Sequence, residues 1–218
     1  EEWDKTFPKS DKVDHSKVTF VNRFGITLAA DLYVPKIAVA DKFPAIAVSG
    51  PFGAVKEQSS GLYAQTLAER GFLTIAFDPS FTGESSGQPR SVASPDINTE
   101  DFSAAVDYLA TRPDVDAERI GILGICGWGG FAINAAANDT RIKATVASTM
   151  YDISRANANG YFDAADNADA RYRMRRELNA QRTKDYRTGT YPCTTMNPEP
   201  AEDAPQFMKD YYDYYKTK

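Results

Sequence analysis

Gly124-Ile125-Cys126-Gly127-Trp128-Gly129-Gly130 is the stretch that decides the fold of this chain. A strand-like run, Arg119-Ile120-Gly121-Ile122-Leu123, leads into it, and the small-residue run from Phe131 to Asn138 leads out as a helix. A strand, a glycine-flanked residue and a helix in that order form a sharp turn that lifts one nucleophilic side chain clear of a sheet. Such a turn is strained and needs neighbours without bulk, and the side chain it presents here is Cys126. At the start of a helix, unpaired N–H groups and the helix dipole favour negative charge, so Cys126 is expected to gain thiolate character. The alternative, a small buried hydrophobe, describes most free cysteines but leaves the flanking glycines without a reason.

Working outward, the pattern is one of alternation. Upstream, residues 17–23 and 26–34 read as two β-rich runs around Phe24-Gly25, a hairpin closed by Pro35. Residues 45–48 form a short buried strand, 60–70 a helix stopped by Gly71, and 73–77 the next strand. Asn98 or Thr99 caps a helix with Glu100 and Asp101 in its first turn and Phe102, Val106 and Leu109 on one face. Residues 142–148 supply a further strand. Alternating strands and helices predict an α/β fold with a doubly wound, mostly parallel sheet, here preceded by an N-terminal β-hairpin.

From Tyr151 onward the composition shifts: nine of the 12 tyrosines lie there, against two of the 14 glycines. Residues 171–184 and 206–215 read as two more helices. Residues 1–150 are therefore taken as the core and 151–218 as a helical cap or insertion. Pro192, Pro198, Pro200 and Pro205 suggest a solvated tail instead, and the aromatic content argues against that.

With 218 residues, 42% of them hydrophobic, the chain can bury the core of one domain. A net charge of -5 disfavours nucleic acid and anionic membrane surfaces as partners, which leaves a small molecule or peptide as the expected substrate. There is no apolar run of membrane-spanning length, and no basic then apolar leader opens the chain, so a cytoplasmic location is expected. The two cysteines, Cys126 and Cys193, match no disulfide framework or zinc spacing, and Cys193 is expected to be the unreactive one. No cofactor or metal is implied.

Over residues 18–150 the chain resembles a bacterial α/β-hydrolase of the dienelactone-hydrolase-like group, in which cysteine or serine stands at the elbow. The resemblance implies that the Cys126 thiolate attacks the carbonyl of a carboxylic ester or lactone. It implies one oxyanion N–H from Gly127 and a second from Phe52 or Gly53 in Ser49-Gly50-Pro51-Phe52-Gly53-Ala54, a loop that could equally be a plain turn. A peptidase or acyltransferase on the same scaffold, or an inactive hydrolase fold used for binding, are the alternatives. One position departs from the family pattern: the second residue after the nucleophile is usually glycine, and here it is Trp128. The segment Asp78-Pro79-Ser80-Phe81-Thr82-Gly83-Glu84-Ser85 resembles the D-x-R-G-x-G-x-S loop of related hydrolases and is expected to shape the cleft.

In this family the order along the chain is nucleophile, acid, histidine. The single histidine, His15, lies far upstream among Asp11, Lys12, Asp14 and Lys17, where a solvated position is expected. Asp152, just past the strand at 142–148, is a minority candidate for the acid. A further C-terminal segment or second fragment, on the order of a hundred residues, is therefore expected to supply both groups.

Overall fold

The structure, a computed structural model, describes residues 3–37, 41–192 and 198–216. Its centre is a six-stranded sheet of β1 (Val13–Val21), β2 (Thr27–Pro35), β3 (Phe43–Ser49), β4 (Leu73–Phe77), β5 (Val115–Ile125) and β6 (Ile142–Ser148), in the order β1-β2-β4-β3-β5-β6. β1 and β2 pair antiparallel, β2 pairs antiparallel with β4, and β4, β3, β5 and β6 are parallel. Every residue of β4 is buried, as a central strand covered on both faces requires.

Alternate residues of each strand serve different faces. Ile120 and Ile122 join Phe102, Val106 and Leu109 of α2 (Pro95–Ala110) and Trp128, Phe131 and Ala132 of α3 (Gly127–Asn138) in the larger core. Leu123 and Ile125 instead join Val48, Ala76 and Ala64 and Ala68 of α1 (Ser59–Ala68) in the smaller one, together with Phe7. Helices thus cover both faces, and the doubly wound α/β sheet with its N-terminal hairpin stands as expected. α2 begins earlier than the capping pattern suggested: Ser94 is the N-cap and Pro95 fills the first helical position, where a missing N–H costs nothing. Asn98 is instead buried within the helix, accepting the Ser94 N–H at 2.8 Å and donating to Asp101 Oδ2 at 3.1 Å.

The hairpin tip is fixed by Asn22. Its Oδ1 accepts the N–H groups of Phe24 and Ile26, both at 3.0 Å, while Gly25 takes the positive φ of 75° that the turn demands. Its Nδ2 crosses to α2 and the loop after β4, donating to Asp101 Oδ1 at 2.8 Å and Ser80 Oγ at 3.1 Å. Asp101, fully buried, also accepts from the Ser80 backbone N–H and hydroxyl.

Beyond β6 come α4 (Ile153–Asn159), α5 (Ala168–Thr188) and α6 (Gln206–Lys216), none of which contains a buried residue. β6 is an edge strand, paired only with β5 and half open, with Val146 53% exposed. No helix among the described residues is long and apolar enough to cross a membrane.

Asn22→Ala removes a donor from buried Asp101 and an acceptor from two turn amides. It should lower the unfolding free energy by about 2 kcal/mol, read from urea denaturation; an unchanged midpoint would show that the tip does not depend on Asn22.

Candidate active site

Cys126 is the hinge between β5 and α3. It has φ 58° and ψ -123°, a conformation that costs a non-glycine residue about 1–3 kcal/mol and persists only where its surroundings enforce it. Three glycines make room for it. A Cβ on Gly124 would lie 2.2 Å from the carbonyl oxygen of Trp128, one on Gly127 1.8 Å from the Phe52 ring, and one on Gly129 3.0 Å from Met150 Cβ just past β6. The Cys126 N–H donates to the Ser148 carbonyl at 2.8 Å, tying the elbow to the end of β6.

Trp128, at the place where the family pattern has glycine, does not disturb this geometry because its side chain turns inward. It is buried, with its ring 4.4 Å from that of Phe52 and 5.2 Å from that of Phe131, both edge to face. Its bulk pins α3 to the sheet and backs the loop that carries Phe52.

That loop follows β3. The backbone N–H groups of Gly127 and Phe52 lie close enough to the Cys126 thiol to favour its charged form. Gly53 takes the positive φ of 76° that turns the loop. The loop is anchored to the end of β4 through Lys56, whose backbone N–H donates to Asp78 Oδ1 at 2.8 Å and whose Nζ lies 3.3 Å from Asp78 Oδ2. Asp78 also accepts the Glu84 N–H at 2.9 Å, so the segment 78–85 serves as a brace between loops.

The electrostatics at Cys126 differ from the sequence expectation. Burial pushes the thiol above its ordinary range, and the two N–H donors only partly oppose this. Desolvation outweighs the two amide groups, so the surroundings favour the neutral thiol rather than the thiolate expected from the helix N-terminus. On α6, Tyr215 lies close enough to Cys126 to sense its charge and is itself raised far above the usual phenol range, chiefly by burial. Tyr214 stacks edge to face on Tyr215 with ring centroids 4.8 Å apart, and its hydroxyl is buried without a hydrogen-bond partner.

His15 is not a solvated tail residue. It belongs to β1, is mostly buried between the rings of Trp3 and Tyr33, and its Nε2 lies 2.8 Å from Asp31 Oδ1. The sequence missed this because β1 starts earlier than its hydrophobic run. β1 stands four strand positions from β5, on the order of 19 Å at ~4.8 Å per strand. His15 is thus out of reach of Cys126. Asp152 caps α4, its Oδ1 accepting from the Arg155 N–H at 3.0 Å and the Ser154 hydroxyl at 2.7 Å. Cys193 lies outside the described residues, and among those described no group of three or more His, Cys, Asp and Glu side chains is placed to hold a metal ion.

The family model described as X-Pro dipeptidyl-peptidase (S15 family) matches residues 25–213. The chain belongs to this family. An uncharacterized protein of Pseudomonas aeruginosa, PA2218, is 61% identical over 217 residues, which cover 100% of this chain and 58% of that protein. The crystal structure of PA2218 superposes with a TM-score of 0.93 at 62% identity, covering 98% of this chain and 66% of that one. The thiohydrolase AneE of Aspergillus aculeatus is 34% identical over 129 residues, 59% of this chain and 39% of that protein. A putative dienelactone hydrolase of Klebsiella pneumoniae shares the fold, with a TM-score of 0.52 at 21% identity over 63% of this chain and 60% of that one. The fold is that of the α/β-hydrolases, and the chain spans 58% of the length of PA2218.

A thiol raised by burial gives a specific pH profile. The iodoacetamide alkylation rate of Cys126, followed by peptide mapping, should still be climbing at pH 9.0 as the thiolate fraction grows. A plateau reached below neutral pH would mean that the helix N-terminus outweighs burial after all.

Proposed function

We propose that the protein hydrolyses carboxylic esters or lactones of small molecules, with Cys126 as nucleophile and the backbone N–H groups of Gly127 and Phe52 as the oxyanion hole. The observation that carries this reading is a cysteine held at a strained, positive-φ elbow between β5 and α3, and the effect of the Gly127 and Phe52 amides on its thiol supports it. The thiol gives its proton to a general base, Sγ bonds to the carbonyl carbon, and the displaced electron pair resides on an oxygen held by the two amides. Collapse of this intermediate breaks the ester bond and leaves a thioester on Cys126, the leaving oxygen taking up a proton. Water, activated by the same base, then releases the acid.

The base and its acid partner belong, in this reading, to a segment beyond these 218 residues that also pairs with the open edge of β6. The half-open edge strand and the share of PA2218 that the chain spans support this. Helices α4 to α6 form a cap whose aromatic residues, Tyr215 foremost, enclose the acyl group. A cytoplasmic location remains part of the proposal. A peptidase reading is favoured by the family description, and a thioester substrate by the name of AneE; both use the same nucleophile and differ in the leaving group.

The discriminating experiment is stopped-flow hydrolysis of p-nitrophenyl acetate by the 218-residue chain, beside an X-Pro p-nitroanilide and an acyl thioester. With the reaction run above about pH 9, where solvent hydroxide takes the proton that the missing base would otherwise accept, the expected result is a burst of about one equivalent of nitrophenol or less followed by a nearly flat trace, because acylation proceeds and deacylation lacks its base. Cys126→Ala should abolish the burst. Sustained turnover that depends on Cys126 would mean that a residue of this chain completes the site; a burst surviving in the alanine variant would remove Cys126 from the reaction.

A further inference from the structure

Six charged side chains close into a ring of alternating sign beside the loop that carries Phe52. Lys56 Nζ lies 2.5 Å from Glu57 Oε1 and 2.7 Å from Glu84 Oε2. Glu84 continues to Lys17 at 3.1 Å, Lys17 to Asp4 at 3.1 Å, and Asp4 to Lys5 at 2.5 Å. Lys5 returns to Glu57 at 4.0 Å. Two further carboxylates sit inside: Asp78, 3.3 Å from Lys56, and Asp31, 3.0 Å from Lys5 in a contact off the axis of a hydrogen bond. The Lys5 and Lys56 side chains and both inner carboxylates are fully buried.

A buried ion pair adds little net stability, because desolvating the charges offsets most of their attraction. What such a ring supplies is geometry: removing a buried member strands the carboxylates around it. It fastens three pieces of chain that are distant in sequence. The N-terminal residues 4–6 are one, with Thr6 N–H also donating to the Glu57 carbonyl at 3.0 Å. The second is the brace around Asp78 and Glu84. The third is the loop from Gly50 to Gln58, which holds Phe52 a few residues before Lys56. Lys56 grips Asp78 with both its backbone N–H and its ammonium, and Asp78 is in turn bonded to the backbone of β2 through its own N–H, which donates to the Ala29 carbonyl at 2.9 Å.

We infer that Lys56 is the positioning residue of the oxyanion loop, and that the N-terminal segment, through Asp4 and Lys5, locks it in place. This rests on the proposed nucleophile and oxyanion donors but assigns a role to residues outside them. Lys56 touches no substrate. It fixes the distance between the Phe52 N–H and the Cys126 sulfur, so loosening it should weaken chemistry that develops an oxyanion and spare chemistry that does not.

Two reactions of the same sulfur separate these effects. Acylation by p-nitrophenyl acetate passes through an oxyanion, whereas alkylation by iodoacetamide at pH 9.0 and above is a direct displacement at carbon with none. In Lys56→Met, acylation should slow at least about tenfold, approaching the 10²–10³ expected for a lost oxyanion donor, while alkylation is unchanged. Glu84→Gln opens the ring at a partly exposed member without stranding a buried lysine, and should give a smaller loss of the same kind if Lys56→Met does not fold. Amide hydrogen exchange adds a readout that needs no activity: residues 50–58 should exchange faster in either variant, and the peptides of β5 and α3 should not. Equal acylation and unchanged exchange in both variants would overturn the inference, as would acylation and alkylation falling together. If the unmodified chain shows no Cys126-dependent acylation while residues 50–58 still loosen in the variants, the proposed chemistry fails and the anchoring role of Lys56 stands.

Discussion

The site depends on one strained residue. Cys126 at φ 58° is held between a strand and a helix that both have other reasons to be where they are: β5 is paired on both sides, and α3 buries Trp128, Phe131 and Ala132 against the sheet. Packing on either side outweighs the few kcal/mol the turn stores. Gly124, Gly127 and Gly129 make the close approaches possible. A Cβ at any of them would have to push the helix off the sheet, displace Phe52, or part α3 from β6.

Phe52 joins the strained turn to the rest of the protein. Its N–H faces the sulfur, its ring covers Gly127 and packs on Trp128, and a few residues later its loop is fixed to β4 by Lys56 and Asp78. Trp128, two residues after the elbow cysteine, has a physical role in this context. Its bulk supplies the surface against which the loop after β3 rests, while Gly129 and Gly130 lie against the segment that follows β6.

The same enclosure sets the chemistry. The Cys126 thiol loses more from desolvation than it gains from the Gly127 and Phe52 amides, which favours its neutral form.

The sequence by itself determined the sheet's winding, the hairpin and the identity of the elbow. These rest on local periodicity, on glycines a few residues from the strain they relieve, and on turn residues such as Phe24-Gly25. Tertiary structure alone decided three matters. Asn98, with a sequence pattern that suits a cap, became a buried helix residue because Asp101 and Ser94 lie within its reach. His15, surrounded in sequence by charges, became a mostly buried partner of Asp31 because the strand across from it brings that carboxylate within 2.8 Å. The Cys126 thiol moved up rather than down because desolvation outweighs the amide groups of Gly127 and Phe52. Charge rings and desolvation depend on groups brought together from far along the chain, and no spacing within a single element records them.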